Sequence, residues 1–232
     1  MTEPTVIAQF DAVAATQPRK VCIFWGSDRI TNAALAARIH AYGARLQAAY
    51  GVGRGDRVGI LLKNCPEFIF ALYAVLKLGA TVVPINSFLK APEIQHIADD
   101  CQLKCLITSA EFDETISKLQ GVTPIVLPDL ERGAPATPPR WATVEPDDLA
   151  LIIYTSGTTG KAKGAMLTHG NIASNVGSCI KALEETSYDR LTLLLPMFHS
   201  FMLTVCIFTP LSMGAAIVLI KSVQPFKSAM RE

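Results

Sequence analysis

Short β-rich runs alternate with helical periods along most of this chain, and the links between them are brief. Residues 5–15 read as a helix, Lys20 to Trp25 as a strand, and Ser27 to Arg29 as a turn before Ile30 resumes. Thr31 can cap a helix whose Leu35, Ile39, Tyr42 and Leu46 share one face, and Gly51, Gly53 and Gly55 stop it. Val58 to Leu62 is a strand, and Asn64-Cys65-Pro66-Glu67 opens a helix. Pro66 suits its first turn, Glu67 its positive end, Lys77 its negative end, and Gly79 ends it. The alternation continues with strand Thr81 to Ile85, helix Pro92 to Asp100, strand Cys105 to Thr108, helix Glu111 to Leu119 and strand Thr123 to Leu127. Glu131 to Arg140 holds Pro135, Pro138 and Pro139 and reads as a surface loop or linker. Strands Leu149 to Tyr154 and Ala165 to Thr168 follow, then a helix over Asn171 to Leu183. This order predicts an α/β fold with a mainly parallel sheet under covering helices.

Composition narrows the class. Half of the 232 residues are hydrophobic, which excludes a disordered chain and supplies a core. The 21 basic residues nearly balance the 20 acidic ones, so no global field favours nucleic acid, and no nucleic-acid partner is expected. Cys22, Cys65, Cys101, Cys105, Cys179 and Cys206 are scattered without a C-x-x-C pair. They predict reduced, mostly buried thiols rather than a zinc site or disulfide framework. The N-terminal residues show no signal peptide, so a cytoplasmic protein, peripheral to a membrane at most, is expected. Leu191 to Ile220 carries no Asp, Glu, Lys or Arg, yet Pro196, His199, Pro210 and Gly214 divide it. The pieces predict a strand, a helix of about three turns and a second strand rather than a membrane span.

The chemistry concentrates in Leu151-Ile-Ile-Tyr-Thr-Ser-Gly-Thr-Thr-Gly-Lys-Ala-Lys-Gly164. A strand runs into ten residues made of Gly, Thr, Ser, Lys and one Ala. Glycines bring backbone N–H groups close to a ligand, hydroxyls donate to oxyanions, and two lysines add charge. The set suits a polyphosphate; the other reading of the composition is a plain surface hairpin. Neither G-x-x-x-x-G-K-[ST] nor G-x-G-x-x-G is present in it.

Thr155-Ser-Gly-Thr-Thr-Gly-Lys-Ala-Lys-Gly164 resembles the phosphate loop of the adenylate-forming superfamily, whose pattern is T-S-G-[ST]-T-G-x-P-K-G. Nine of ten positions agree, the free one included, and Ala162 stands where Pro is usual. Without that proline the loop is expected to be looser by roughly 0.4–1 kcal/mol, acting through the unfolded chain. Gly51 to Val58, Leu61 to Phe68, Lys77 to Asn86, Leu167-Thr-His-Gly-Asn-Ile172 and Leu195-Pro-Met-Phe-His-Ser-Phe201 are similar to further motifs of that superfamily. The likeness runs from near residue 20 to about 220, and the wording is most like fatty acyl-CoA synthetases.

The resemblance implies ATP-dependent activation of a carboxylic acid, a fatty acid first, to an acyl-adenylate, followed by transfer to coenzyme A; the alternatives are a ligase for an aromatic or small acid and a non-catalytic nucleotide- or acyl-binding fragment. It implies that Thr155, Ser156, Gly157, Thr158, Thr159 and Gly160 wrap the β- and γ-phosphates, with Lys161 and Lys163 flanking them. It assigns His199 to the acid pocket beside the reacting carboxylate, the alternative being a packed histidine capping a buried helix. His169 is expected to be structural, and His40 and His96 to be surface residues of helices. The family's adenine, ribose, Mg2+ and C-terminal-domain motifs do not occur in this sequence, so residues 1–232 are expected to form the N-terminal portion of a large AMP-binding domain. The Mg2+ ligand is then expected beyond this chain. The resemblance further implies two sheets, the second drawn from the N-terminus and from segments after the loop. That sheet is expected to keep an open edge through which copies of the chain could associate. Phe201 to Phe208 suits either a fatty acyl tunnel or plain core.

Overall fold

The structure is a computed structural model that describes residues 4–132, 137–155 and 161–221. The first third contains α1 (Val6–Thr16), β1 (Val21–Trp25), β2 (Asp28–Thr31), α2 (Asn32–Tyr50), β3 (Arg57–Leu61) and α3 (Pro66–Lys77). The middle contains β4 (Thr81–Pro84), α4 (Ala91–Asp100), β5 (Cys105–Thr108), α5 (Asp113–Ile116), β6 (Thr123–Val126) and α6 (Leu127–Glu131). Then come β7 (Leu149–Thr155), β8 (Lys163–Thr168), α7 (His169–Leu183), β9 (Arg190–Leu193), α8 (Thr209–Met213) and β10 (Ala216–Leu219).

Ten strands form two sheets among the described residues. The larger has the order β6-β5-β3-β4-β7-β8, and the smaller β2-β1-β10-β9. Pairing is parallel except at the two hairpins, β1 with β2 and β7 with β8. The smaller sheet does join N-terminal strands to strands that follow the glycine-rich segment, and β9 lies at its edge.

Both sheets feed one core. Ile23 and Ile217 of the smaller sheet share a cluster with Val58, Ile60, Val82 and Ile107 of the larger. α3 lies within it, buried at every position from Phe68 to Leu76, as expected of a helix that is apolar all round. On the far face of the larger sheet, Leu61, Val83, Leu106 and Ile152 pack against Ile94, Ile97 and Ala98 of α4. The strict alternation along each strand thus assigns α3 to one face and α4 to the other.

Most of the expected elements form, with five departures, the smallest being that β2 starts at Asp28, inside the turn expected over Ser27 to Arg29. The expected helix Glu111 to Leu119 contracts to a 3-10 turn, Ala110–Phe112, and the single turn α5. Phe112 is its only buried side chain from Ala110 to Ile116, so no apolar stripe holds a longer helix. α6 occupies residues placed between a strand and a linker, with Pro128 in its first turn. β8 begins at Lys163 rather than Ala165, so the end of the glycine-rich motif is already strand. The helix expected before β10 starts as a π-helical segment, Met202–Phe208, that runs into α8. Pro210 lacks an N–H and would crowd the carbonyl four residues back, and the wider π turn relieves that. Thr209 donates its backbone N–H and its hydroxyl to the Thr204 carbonyl, five residues earlier. No helix of the described residues is long and apolar enough to cross a membrane.

The strap after the proline-rich linker is held firmly. Arg140 donates its N–H to Gln47 Oε1, and Ala142 donates to the Lys77 carbonyl. Trp141 lies against Gly43 of α2, under the Lys77 ammonium at 5.1 Å from the ring centre. A Cβ at Gly43 would come within 2.3 Å of the indole, so only glycine admits the ring there.

Candidate functional site

The glycine-rich segment joins two antiparallel strands of the larger sheet. Residues pair from Leu149 with Thr168 to Thr155 with Lys163. Thr155 ends β7 and is exposed. Lys161 and Lys163 are exposed on the returning leg, with no ion-pair partner among the described residues. Ser156, Gly157, Thr158, Thr159 and Gly160 lie outside the described residues. Two cations without a carboxylate partner among the described residues thus stand beside the segment, a charge pattern that suits an oxyanion.

α4 grips both legs. Tyr154 on β7 donates its phenol to Asp100 Oδ2 at 2.5 Å. Burial, then that hydrogen bond, push the phenol well above its usual range, so Tyr154 stays the donor. Its ring passes over Gly164, directly opposite on β8, where a Cβ would lie 3.1 Å from Cζ. One turn earlier on α4, His96 Nε2 stands 3.1 Å from the Ala162 carbonyl. A carbonyl only accepts, so Nε2 carries the proton. His96 is thus half-buried and engaged with the loop rather than a free surface residue. His96 and Asp100 stand four residues apart, a spacing that puts them on one helix face and was open to notice in the sequence. What they reach was not.

His199 sits elsewhere in the fold, exposed, ahead of the π-helical segment. Its Nδ1 accepts the Phe201 N–H at 3.3 Å, which leaves the proton of the neutral ring on Nε2. Among the described residues no hydrogen bond joins it to the β7–β8 hairpin. The motif before it is fixed by Asn64, a buried residue that sequence reading used only to open α3. Asn64 donates to the carbonyls of Leu195 and Ile220, each at 3.1 Å, and its Oδ1 accepts the Met197 N–H at 3.0 Å. One amide thereby ties the turn after β3, in the larger sheet, to the end of the smaller sheet and to the segment that carries His199. Phe88, 78% exposed, meets Phe198 of the same segment edge-on at 6.2 Å.

The apolar run that suited either a tunnel or core packs as core over most of its length. Met202, Leu203, Cys206, Ile207 and Phe208 are buried in the main cluster, while Phe201 stays exposed. His169 is structural in position. It is wholly buried at the start of α7, where its backbone N–H donates to the Asp148 carbonyl. Neither ring nitrogen has a partner among the described residues. Burial lowers its pKa to about 4, against the pull of the Asp148 carboxylate. His40 is exposed and meets Trp141 edge-on. The six cysteines are all free, and burial raises the Cys22 and Cys105 thiols to about 12. Among the described residues no group of three or more His, Cys, Asp or Glu side chains could hold a metal ion.

Comparison with known proteins agrees with this fold. A family model described as AMP-binding enzyme matches residues 10–232. The chain is 35% identical over 215 residues to a feruloyl-CoA synthase of an Amycolatopsis species, covering 91% of this chain and 43% of that protein. It is 37% identical over 177 residues to the long-chain-fatty-acid–CoA ligase FadD13 of Mycobacterium tuberculosis, covering 72% of this chain and 35% of that protein. It thus spans less than half the length of these relatives. Among solved structures, the N-terminal domain of FACL13 from Mycobacterium tuberculosis superposes with a TM-score of 0.87 at 29% identity, over 98% of this chain and 60% of that one. The O-succinylbenzoate coenzyme A synthetase MenE from Bacillus subtilis, in complex with AMP, gives 0.85 at 28% identity, over 96% and 58%. Two sheets around a shared helical core, two antiparallel strands joined by the serine-, threonine- and glycine-rich segment, and a family match over nearly the whole length place the chain in the AMP-binding enzyme family, among relatives that are acid–CoA ligases.

Proposed function

We propose that this chain supplies the triphosphate-binding loop and part of the acid pocket of an ATP-dependent acid–CoA ligase, as the N-terminal portion of its large AMP-binding domain. The carrying observation is the β7–β8 hairpin, whose returning leg displays Lys161 and Lys163, without an ion-pair partner among the described residues, directly after the sequence Ser156-Gly-Thr-Thr-Gly160. In the first step a carboxylate oxygen attacks the α-phosphorus of ATP, and the bond to the β-phosphate bridging oxygen breaks. Negative charge moves onto the departing pyrophosphate. Hydroxyl and backbone N–H donors supplied by Thr155 to Gly160, and the two ammonium groups, would stabilise that charge where it develops. In the second step the coenzyme A thiolate attacks the acyl carbon and AMP leaves. His199, whose Nδ1 accepts the Phe201 N–H, is assigned to the acid pocket, where its Nε2–H would donate to the carboxylate. The described residues offer no acidic cluster for Mg2+, so no step is assigned to that ion. Association through the β9 edge is a further part of this reading, and sedimentation of the purified protein tests it.

The acid is proposed to be apolar, a fatty acid first. Exposed Phe88, Leu195 and Phe201 around the His199 segment support an apolar entrance. An aromatic acid is the second reading, favoured by the feruloyl-CoA synthase and by an indoleacetate–CoA ligase of Aromatoleum aromaticum, 34% identical over 224 residues. The test is acid-dependent ATP–pyrophosphate exchange by the native gene product, run with medium- and long-chain fatty acids, ferulate and indoleacetate. Exchange with fatty acids supports the first reading, and exchange with the aromatic acids alone replaces it. No exchange with any acid, together with an intact native mass of 25 kDa, would count against catalysis. Lys163→Ala is expected to weaken ATP binding tenfold or more, the loss of a charge-assisted contact. Calorimetric titration with ATP reads this directly.

A further inference from the structure

We propose that α4 acts as a brace for the triphosphate loop, and that His96 is a positioning residue that holds its returning leg in the binding geometry. The inference rests on the reading of the β7–β8 hairpin as that loop.

Three observations converge on it. First, the two bonds from α4 land on the two opposite legs. Asp100 accepts from Tyr154, the residue before Thr155, and His96 donates to the carbonyl of Ala162, the residue before Lys163. The described ends of both legs are therefore tied to one rigid helix. Second, α4 is itself well anchored. Ile94, Ile97 and Ala98 are buried against the far face of the larger sheet, and Gln95 accepts the Gln120 N–H while donating to the Gln120 carbonyl. A brace must be stiffer than what it holds, and this helix is packed into a core while the leg is exposed. Third, the bond falls on Ala162, the one position where the motif departs from its usual proline. A proline there would restrict the leg through its own ring. Alanine leaves the leg with more freedom, and His96 removes it by a bond from outside the loop. Lys163 follows directly in sequence, so holding the Ala162 peptide also holds the backbone from which the Lys163 side chain departs.

The consequence is specific to ligand binding. Releasing the leg costs ATP affinity, because Lys161 and Lys163 must then be ordered by the ligand. The global fold, held by the shared core, is expected to change little.

The test measures ATP binding by calorimetry and the KM and kcat of ATP–pyrophosphate exchange on the intact native gene product, with the thermal midpoint recorded for each variant. His96→Ala is expected to raise the ATP Kd and KM about 3- to 10-fold, the worth of one neutral hydrogen bond, with kcat less affected. His96→Gln, whose amide nitrogen can reach the same carbonyl, is expected to restore most of the affinity. Adding Ala162→Pro to His96→Ala is expected to recover part of it without the histidine. Tyr154→Phe removes only the second anchor and is expected to weaken ATP in the same sense. Lys163→Ala separates the two layers of the argument. If it weakens ATP while His96→Ala and Tyr154→Phe leave Kd unchanged, the brace is wrong and the phosphate loop stands. If Lys163→Ala leaves ATP binding unchanged, the loop assignment fails and the brace with it. Equal losses of affinity and midpoint in His96→Ala and His96→Gln would show a packing role only and overturn the proposal.

Discussion

His169 shows how one residue type can read correctly in sequence and still carry an unexpected physical load. Its place at the head of α7 follows from Thr168, whose side chain caps the helix with Asn171 in a reciprocal pair. What the tertiary structure adds is complete burial with both ring nitrogens unpartnered among the described residues. A neutral ring tolerates that site and a cationic one does not, so its pKa falls from 6.5 to about 4. Unfolded chain then binds a proton that folded chain refuses between those two values. The contribution is complete above pH 6.5, shrinks as pH falls, and has vanished below pH 4. Its full size is on the order of 3 kcal/mol, and Asp148 opposes it. Stability measured by denaturant titration from pH 7 to pH 4 is expected to fall with a slope that His169→Phe reduces. An unchanged slope in that variant would place the acid sensitivity in other groups. Asn64 teaches the converse. It reads as part of a helix start, yet its amide satisfies three backbone groups more than a hundred residues away in sequence, and no local signal announces that.

At the scale of elements, local signals were reliable where one stripe or cap decides the outcome. α2 begins after Thr31 and ends at Gly51 with φ +62°, and α3 begins at Pro66 with Glu67 in its first turn and Lys77 in its last. They failed where a segment had too little apolar surface, as after Ser109, or where a proline interrupted a helix that its surroundings nonetheless keep, as at Pro210. The strap at Trp141 belongs to this scale, because a linker residue is locked by a gap on a helix far away in sequence. Gly43→Ala is expected to drive Trp141 off α2 and to destabilise the protein by about 1–3 kcal/mol, as overpacking does. Thermal unfolding together with tryptophan emission reads both effects. A variant with unchanged midpoint and emission would mean that the indole moves at no cost.

At the scale of the whole molecule, the two sheets are not independent units, since one buried cluster takes residues from both and encloses α3. Amides of β1 and β10 are therefore expected to exchange with the same opening free energy as those of β3 and β5, read by hydrogen exchange at peptide resolution on the native gene product. Markedly faster exchange in the smaller sheet would show that it opens alone. The sequence by itself determined the α/β class, the order of nearly all strands and helices, and the start and end of α3. Each is written in spacing, capping or residue type within a short window, where local sterics and hydrophobic period act without help. Only the tertiary structure decided that β10 inserts between β1 and β9, that Asn64 joins the sheets, and that α4 meets the hairpin through His96 and Asp100. Those contacts form between residues far apart along the chain, so their geometry exists only once burial of the common core has closed the intervening loops.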